Sequence, residues 1–406
     1  MVKLSNYLIL SVVLFVVFPS QLSMYDTHWA PLTGLGILLF TFFGLLIIIS
    51  RKIPTNIPTI TLYLFLGLIL SSLFSYYFVG EIKPLVVYGA LIVLFIITRT
   101  LSEKIKDLDQ LIISMVFGAC LSLPIITILG ANEPFLGEYK PFSFFRFRGF
   151  FTNANSMGMF TAGIIHMTVG VLYGYKNDLS NSKKLFFYFT LLISFIYLLA
   201  SNSRSAILSV IVIFVLLLFI LFLKSFKISK LKLDLRQLKI FFSLLFFIIL
   251  FSLIIFWSGL IDNSVEKFFI KRARVVTDIS DGRLDGWLFA LENWNWFGYR
   301  NFAEFADLNN MKSHGHSTWI SHLNDYGLLA TSFFLMWIFL IIVWTLINIT
   351  RNKGIKSNFV LFCVVVGFFV NASFQSATST PGLLISVIMF AILYKRNHFL
   401  NNENSR

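Results

Sequence analysis

Twelve stretches of this chain are each apolar enough to cross a bilayer, and that pattern excludes most folds before any motif is read. A spanning helix needs about 20 largely apolar residues, and the candidates lie at roughly 5–23, 31–50, 58–78, 84–99, 111–130, 156–175, 185–200, 205–223, 240–260, 328–349, 359–374 and 382–394. No soluble domain interrupts the series, and no repeat recurs at a fixed period. The one long hydrophilic insertion covers about 261–327. The expected fold is therefore an all-α polytopic membrane protein of about 12 transmembrane helices. Helices 1–5 fill residues 1–130, a membrane core with the outer loop 261–327 between helices 9 and 10 fills 131–394, and a cytoplasmic tail covers 395–406. The first stretch follows Lys3 and resembles a signal peptide, but no small-x-small cleavage site follows Phe18, so an uncleaved first helix is expected.

Composition agrees. Only 13% of residues are charged and 57% are hydrophobic, against about 25% charged in soluble proteins. A soluble globular enzyme is excluded. Cys120 and Cys363 both sit inside apolar runs and offer neither a disulfide framework nor metal-ligand spacing.

The net charge of +14 needs a location. With the N-terminus inside, the alternate loops that face the cytoplasm hold 21 of the 33 Lys and Arg and six of the 19 Asp and Glu. The inside is then +15 and the outside −1, and every cytoplasmic loop is positive except the neutral one at 99–109. Cytoplasmic loops of membrane proteins collect Lys and Arg, so the surplus reports orientation, with both termini cytoplasmic, and not a nucleic-acid partner. The outer Arg and His residues are the ones that this rule leaves unexplained.

Four outer segments carry them. In 131–155, Phe144-Phe145-Arg146-Phe147-Arg148-Gly149 interleaves guanidinium groups with rings. This suits a headgroup boundary where rings dip into lipid and cations meet phosphate, whether as a plain anchor or as a site. Asn153 and Asn155 fit a cap for the following helix. The short link Ser201-Asn202-Ser203-Arg204-Ser205 puts polar groups at a helix N-terminus, which suits an anion or simply a capped hairpin. Asp281-Gly282-Arg283-Leu284-Asp285-Gly286-Trp287 opens an amphipathic stretch running to Phe297-Gly298. Its Arg283 and Trp287 share one helix face, and it is too polar to span, so it is expected on the outer membrane surface. Finally, Ser313-His314-Gly315-His316-Ser317-Thr318-Trp319 leads through His322, Asn324 and Asp325 into Gly327-Leu328-Leu329. The His spacings do not match a helical metal-binding pair, so no metal is expected. A general base is the better use of an imidazole here.

Together these segments resemble the O-antigen ligase and polymerase superfamily of bacterial envelope glycosyltransferases. The resemblance rests on Arg146 to Gly149 with Asn153 and Asn155, on Ser203-Arg204, on Arg283, Trp287 and Gly298, and on His316, Trp319, Ile320, Asp325 and Gly327-Leu328-Leu329. It covers about 140–330 in order and sidedness. Ser317 stands where the family has Asn, Ala330 where it has Gly, and Gly298-Tyr299-Arg300 breaks its G-x-G. The resemblance implies a GT-C-like, metal-independent inverting glycosyltransferase without a cofactor, at the outer face of the bacterial inner membrane. Its donor would be a glycan on undecaprenyl diphosphate, and its acceptor another lipid-linked glycan (polymerase) or lipid A-core (ligase). A chain-length regulator protein is a further implied partner. Releasing a diphosphate requires stabilising its growing charge, and fixed Arg groups do this without a metal. The expected clamp is Arg204 and Arg283, assisted by Arg146 or Arg148. His316 would activate the acceptor hydroxyl or contact phosphate, and Asn153, Asn155, Trp287, His314 and Asp325 would line the substrate. Two other classes compete. A flippase or secondary transporter would use His166, Asn371 and a kink at Pro124 inside spans. A non-catalytic scaffold would leave the outer Arg and His unused.

Overall fold

The computed structural model describes residues 59–82, 84–85, 88–89, 108–129, 135–136, 146–147, 154–201, 203–226, 283–300, 302–308, 317–350 and 355–374. They are mostly helical. In chain order they form α1 (Thr59–Val79), α2 (Leu108–Leu129), β1 (Phe135–Leu136), β2 (Arg146–Phe147), α3 (Ala154–Gly174), α4 (Asn181–Ser201), α5 (Arg204–Phe226), α6 (Arg283–Glu292), α7 (Phe302–Leu308), α8 (Thr318–Thr350) and α9 (Ile355–Phe374). Four helices are long and apolar enough to cross a membrane: α3, α4, Trp319–Ile349 of α8 and Lys356–Ser373 of α9. Shorter apolar stretches lie in α1 (Tyr63–Val79), α2 (Ile112–Ile125) and α5 (Arg204–Ile220). The expected spans at 5–23, 31–50, 240–260 and 382–394, and nearly all of 84–99, lie outside the described residues.

The central pair is α3 and α9, which approach closely because glycine lines their contact. A Cβ on Gly170 would stand 2.7 Å from the Val360 Cα, and one on Gly174 would stand 2.7 Å from the Lys356 carbonyl oxygen. Small residues at such a crossing let backbones touch where no water drives burial. Around this pair the chain builds two apolar clusters, one reaching α1, α2 and α8, the other α5.

The peripheral helices are polarised in the sense lipid demands. On α4, Phe187, Thr190, Ser194, Leu198 and Ser201 face the protein, while Leu185, Tyr188, Phe189, Leu192, Ile196 and Leu199 are exposed. Both sets recur every three to four residues, so each forms one face. Two of the small hydroxyls bond the preceding turn, Thr190 to the Phe186 carbonyl at 3.0 Å and Ser201 to the Leu198 carbonyl at 2.7 Å, while the buried Ser194 hydroxyl has no partner among the described residues. On α1 the split is the same, with Ser71, Ser72 and Ser75 buried and Tyr63, Leu66, Leu70 and Tyr77 exposed.

Polar contacts gather at the two ends of the bundle. At one end Tyr175 donates to Asp109 (2.9 Å), and Lys356 pairs with Asp178 (2.6 Å). The pair is nearly half exposed on both sides, so it contributes at most about 1 kcal/mol. This is the end that the charge count assigns to the cytoplasm. At the other end lie Ser75, Ser203, Phe297, Trp319 and Ser373, with the described parts of the segments that the charge count reads as outer.

Candidate functional site

Two constructions occupy that second end. The first is the meeting of two helix starts. A Cβ on Gly158, in the second turn of α3, would overlap the Ser203 Cβ and stand 2.8 Å from the Ser201 Oγ. Gly158 is thus pressed against the link that opens α5. Ser203 precedes α5 and takes the first helical hydrogen bond, with Ile207 N–H donating to its carbonyl at 3.0 Å. Its hydroxyl is fully buried and finds no partner among the described residues. Neither helix carries an acid in its first turn. Each helix start carries about half a positive charge from its macrodipole, and Arg204 adds a full one. Asn155 is the second residue of α3 and half-buried, and Arg204 is the first of α5 and exposed. Both are engaged in polar contacts. Helix starts of this kind suit an anion.

The second construction is an elbow in α8. The helix was expected to begin at 328; it begins at Thr318, and Gly327 breaks it with φ 84 and ψ 169. Gly327 permits the break, because this φ/ψ region is essentially glycine's alone. Thirty-three residues in one helix would run about 50 Å, against a hydrocarbon core of about 30 Å. In a straight helix residues 322 and 334 would stand about 18 Å apart along the axis. Here the His322 and Phe334 rings stack at 5.3 Å, and Trp319 reaches Phe334 at 6.0 Å. The bend closes its inner corner on these rings.

A break exposes backbone groups, and the segment after α6 satisfies them. Tyr299 N–H donates to the Asn324 carbonyl (2.7 Å), Leu328 N–H to Asn295 (2.8 Å) and Leu329 N–H to Trp296 (3.3 Å). Gly298, with φ +83, lies on Gly327. A Cβ on Gly298 would stand 2.6 Å from the Asp325 carbonyl oxygen, and one on Gly327 would overlap the Trp296 carbonyl oxygen. Ser75 of α1 donates to the Phe297 carbonyl at 2.7 Å, and the Phe297 ring stacks on Phe78 at 4.9 Å. Trp319 Nε1–H donates to Ser373 Oγ at 2.9 Å, tying the elbow to the end of α9.

Of the expected residues, Asn155 and Arg204 are brought to the first construction. Trp287, on α6, is half-buried, and α6 packs against the start of α8 through Phe289 and Ile320. Asp325 is half-buried within the elbow. Arg146 lies in β2 opposite Leu136, and Arg283 opens α6. Arg148, Asn153, His314 and His316 lie outside the described residues. One expectation is corrected: Phe147 does not dip into lipid. It is buried in the bundle, its ring 4.8 Å from Tyr197. Pro124 lies within α2, which continues as helix to Leu129. His166 and Asn371 are buried, and each has one polar atom without a partner among the described residues. No three His, Cys, Asp or Glu among the described residues stand together as metal ligands. Sequence reasoning missed Gly158, which has no flanking signal, and the pairing of Tyr88 with His322, which are 234 residues apart.

The class that this fold defines is an α-helical membrane protein. No family model matches the chain, and no curated protein matches it.

Proposed function

We propose that the protein is an integral membrane glycosyltransferase that moves a glycan from undecaprenyl diphosphate to an acceptor hydroxyl at the outer face of the bacterial cytoplasmic membrane. The reading is a surface-polysaccharide polymerase of the O-antigen type, with the O-antigen ligase as its alternative. The observation that carries it is the meeting of the α3 and α5 starts at Gly158 and Ser203, with Arg204 beside them. A polyprenyl diphosphate presents two phosphates at the level where these helices begin, and its tail remains in lipid.

In this reading the acceptor oxygen attacks the anomeric carbon from the face opposite the diphosphate. The bond from that carbon to the phosphate oxygen breaks, and the diphosphate leaves with the electron pair. Arg204 and Arg283, assisted by Arg146 or Arg148, hold the growing charge. His316 takes the acceptor proton or holds a phosphate.

A flippase or transporter is the second reading, favoured by the broken helix at Gly327 and by the buried His166. Purified protein in liposomes with labelled lipid-linked repeat units separates the three. Longer chains from these units alone mean a polymerase, and product only after addition of lipid A-core means a ligase. Labelled lipid that changes leaflet without growing means a flippase. In cells, His316→Ala at constant expression is expected to abolish the long-chain ladder on a glycan gel. An unchanged ladder removes His316 from the chemistry.

A further inference from the structure

The inner corner of the α8 elbow holds a polar pair that packing alone does not require. His322 is buried between the Phe334 ring, stacked at 5.3 Å, and the Tyr326 ring, edge-on at 4.6 Å. Tyr88 closes the corner from the stretch after α1, with its ring 5.4 Å from Tyr326. Two phenylalanines would fill this volume. Instead the Tyr88 hydroxyl and His322 Nδ1 are hydrogen-bonded at 3.2 Å. Burying two polar groups costs free energy unless they pair, and the pair, unlike an apolar contact, fixes direction. What it fixes is the segment 318–326, which begins two residues after His316 and contains Asp325.

We infer that Tyr88 and His322 are a positioning dyad for the acceptor side of the transfer, an inference that rests on the glycosyl-transfer reading. The hydroxyl of Tyr88 orients the His322 imidazole. The imidazole sets the pitch of the 318–326 segment, and so the placement of Asp325 against the acceptor. The donor diphosphate is held elsewhere, at the starts of α3 and α5. The dyad therefore acts on turnover and not on donor binding.

The test uses membranes containing the full chain, with added polyprenyl diphosphate-linked glycan varied in concentration and initial rates read by product length. Tyr88→Phe keeps every ring contact and removes one hydroxyl. It is expected to lower kcat about tenfold, the worth of one buried hydrogen bond, with KM for the lipid-linked donor unchanged. His322→Gln, which keeps a partner for Tyr88, is expected to retain several-fold more activity than His322→Leu. The double variant Tyr88→Phe/His322→Leu is expected to be no slower than His322→Leu alone, because the two groups act as a unit. Wild-type turnover in Tyr88→Phe, or a loss confined to KM, overturns the dyad and leaves glycosyl transfer standing. Wild-type membranes that form no glycan product overturn the transfer reading itself, and the dyad with it.

Discussion

Gly327→Ala is expected to unlock the elbow of α8, and Gly298→Ala to do the same from the other side. At Gly327 the backbone has φ 84 and ψ 169, a region that is essentially glycine's alone. Strain of that kind costs on the order of 1–3 kcal/mol. The added methyl also has no room, since it would overlap the Trp296 carbonyl oxygen, and that atom is held in turn by Leu329 N–H. Neither neighbour is the movable end of a side chain. The three backbone hydrogen bonds of the crossing (Tyr299 to Asn324, Leu328 to Asn295, Leu329 to Trp296) are expected to be lost together. In detergent, each variant should melt well below wild type, and the 293–300 segment should become open to protease. The double variant should be little worse than either single one, because both methyls break the same crossing. Gly163→Ala is the control: nothing stands within 4 Å of its added Cβ, so it should be neutral or slightly stabilising. If Gly327→Ala melts with Gly163→Ala and wild type, the crossing does not hold the elbow.

The elbow also marks where local sequence patterns stop being informative. Apolar runs of about 20 residues are read directly from composition, so α3, α4 and α9 lie within a few residues of their expected spans. The first nine residues of α8 were not legible. Thr318-Trp319-Ile320-Ser321-His322-Leu323-Asn324-Asp325-Tyr326 is too polar to read as a span, and its helicity depends on partners far away in sequence. Ser373, Tyr88 and the 295–299 backbone are such partners, and no periodicity announces them. Glycine behaves in the same way. Gly298 and Gly327 stand out in the sequence as members of motifs, but the reason for them is their mutual backbone contact. Gly158 stands in no motif, yet it decides how closely two helix starts approach. The Phe-Arg segment misled for a related reason: alternating ring and cation suits lipid and protein equally, and Phe147 packs into the bundle against Tyr197, 50 residues away in sequence.

Arg204→Ala is expected to remove transfer while leaving the fold intact, and this is the larger effect on activity. Arg204 is exposed at the first position of α5, so its loss opens no cavity. Removing one fixed donor from a site that stabilises developing negative charge typically costs about 10²–10³ in rate. Arg204→Lys is expected to recover only part of this, because an ammonium offers a point charge where guanidinium offers a planar fork. Binding supplies a readout independent of turnover. Inorganic pyrophosphate should raise the melting temperature of the wild-type protein, less so at high salt, and should leave that of Arg204→Ala unchanged. Gly158→Ala then separates position from charge. Its methyl would overlap the Ser203 Cβ and push the α3 and α5 starts apart with Arg204 still present. Pyrophosphate stabilisation should therefore weaken in Gly158→Ala as well. If it persists there and vanishes only in Arg204→Ala, the anion is held by the guanidinium alone. If it persists in both, Arg204 is an interfacial cation and the diphosphate site lies elsewhere.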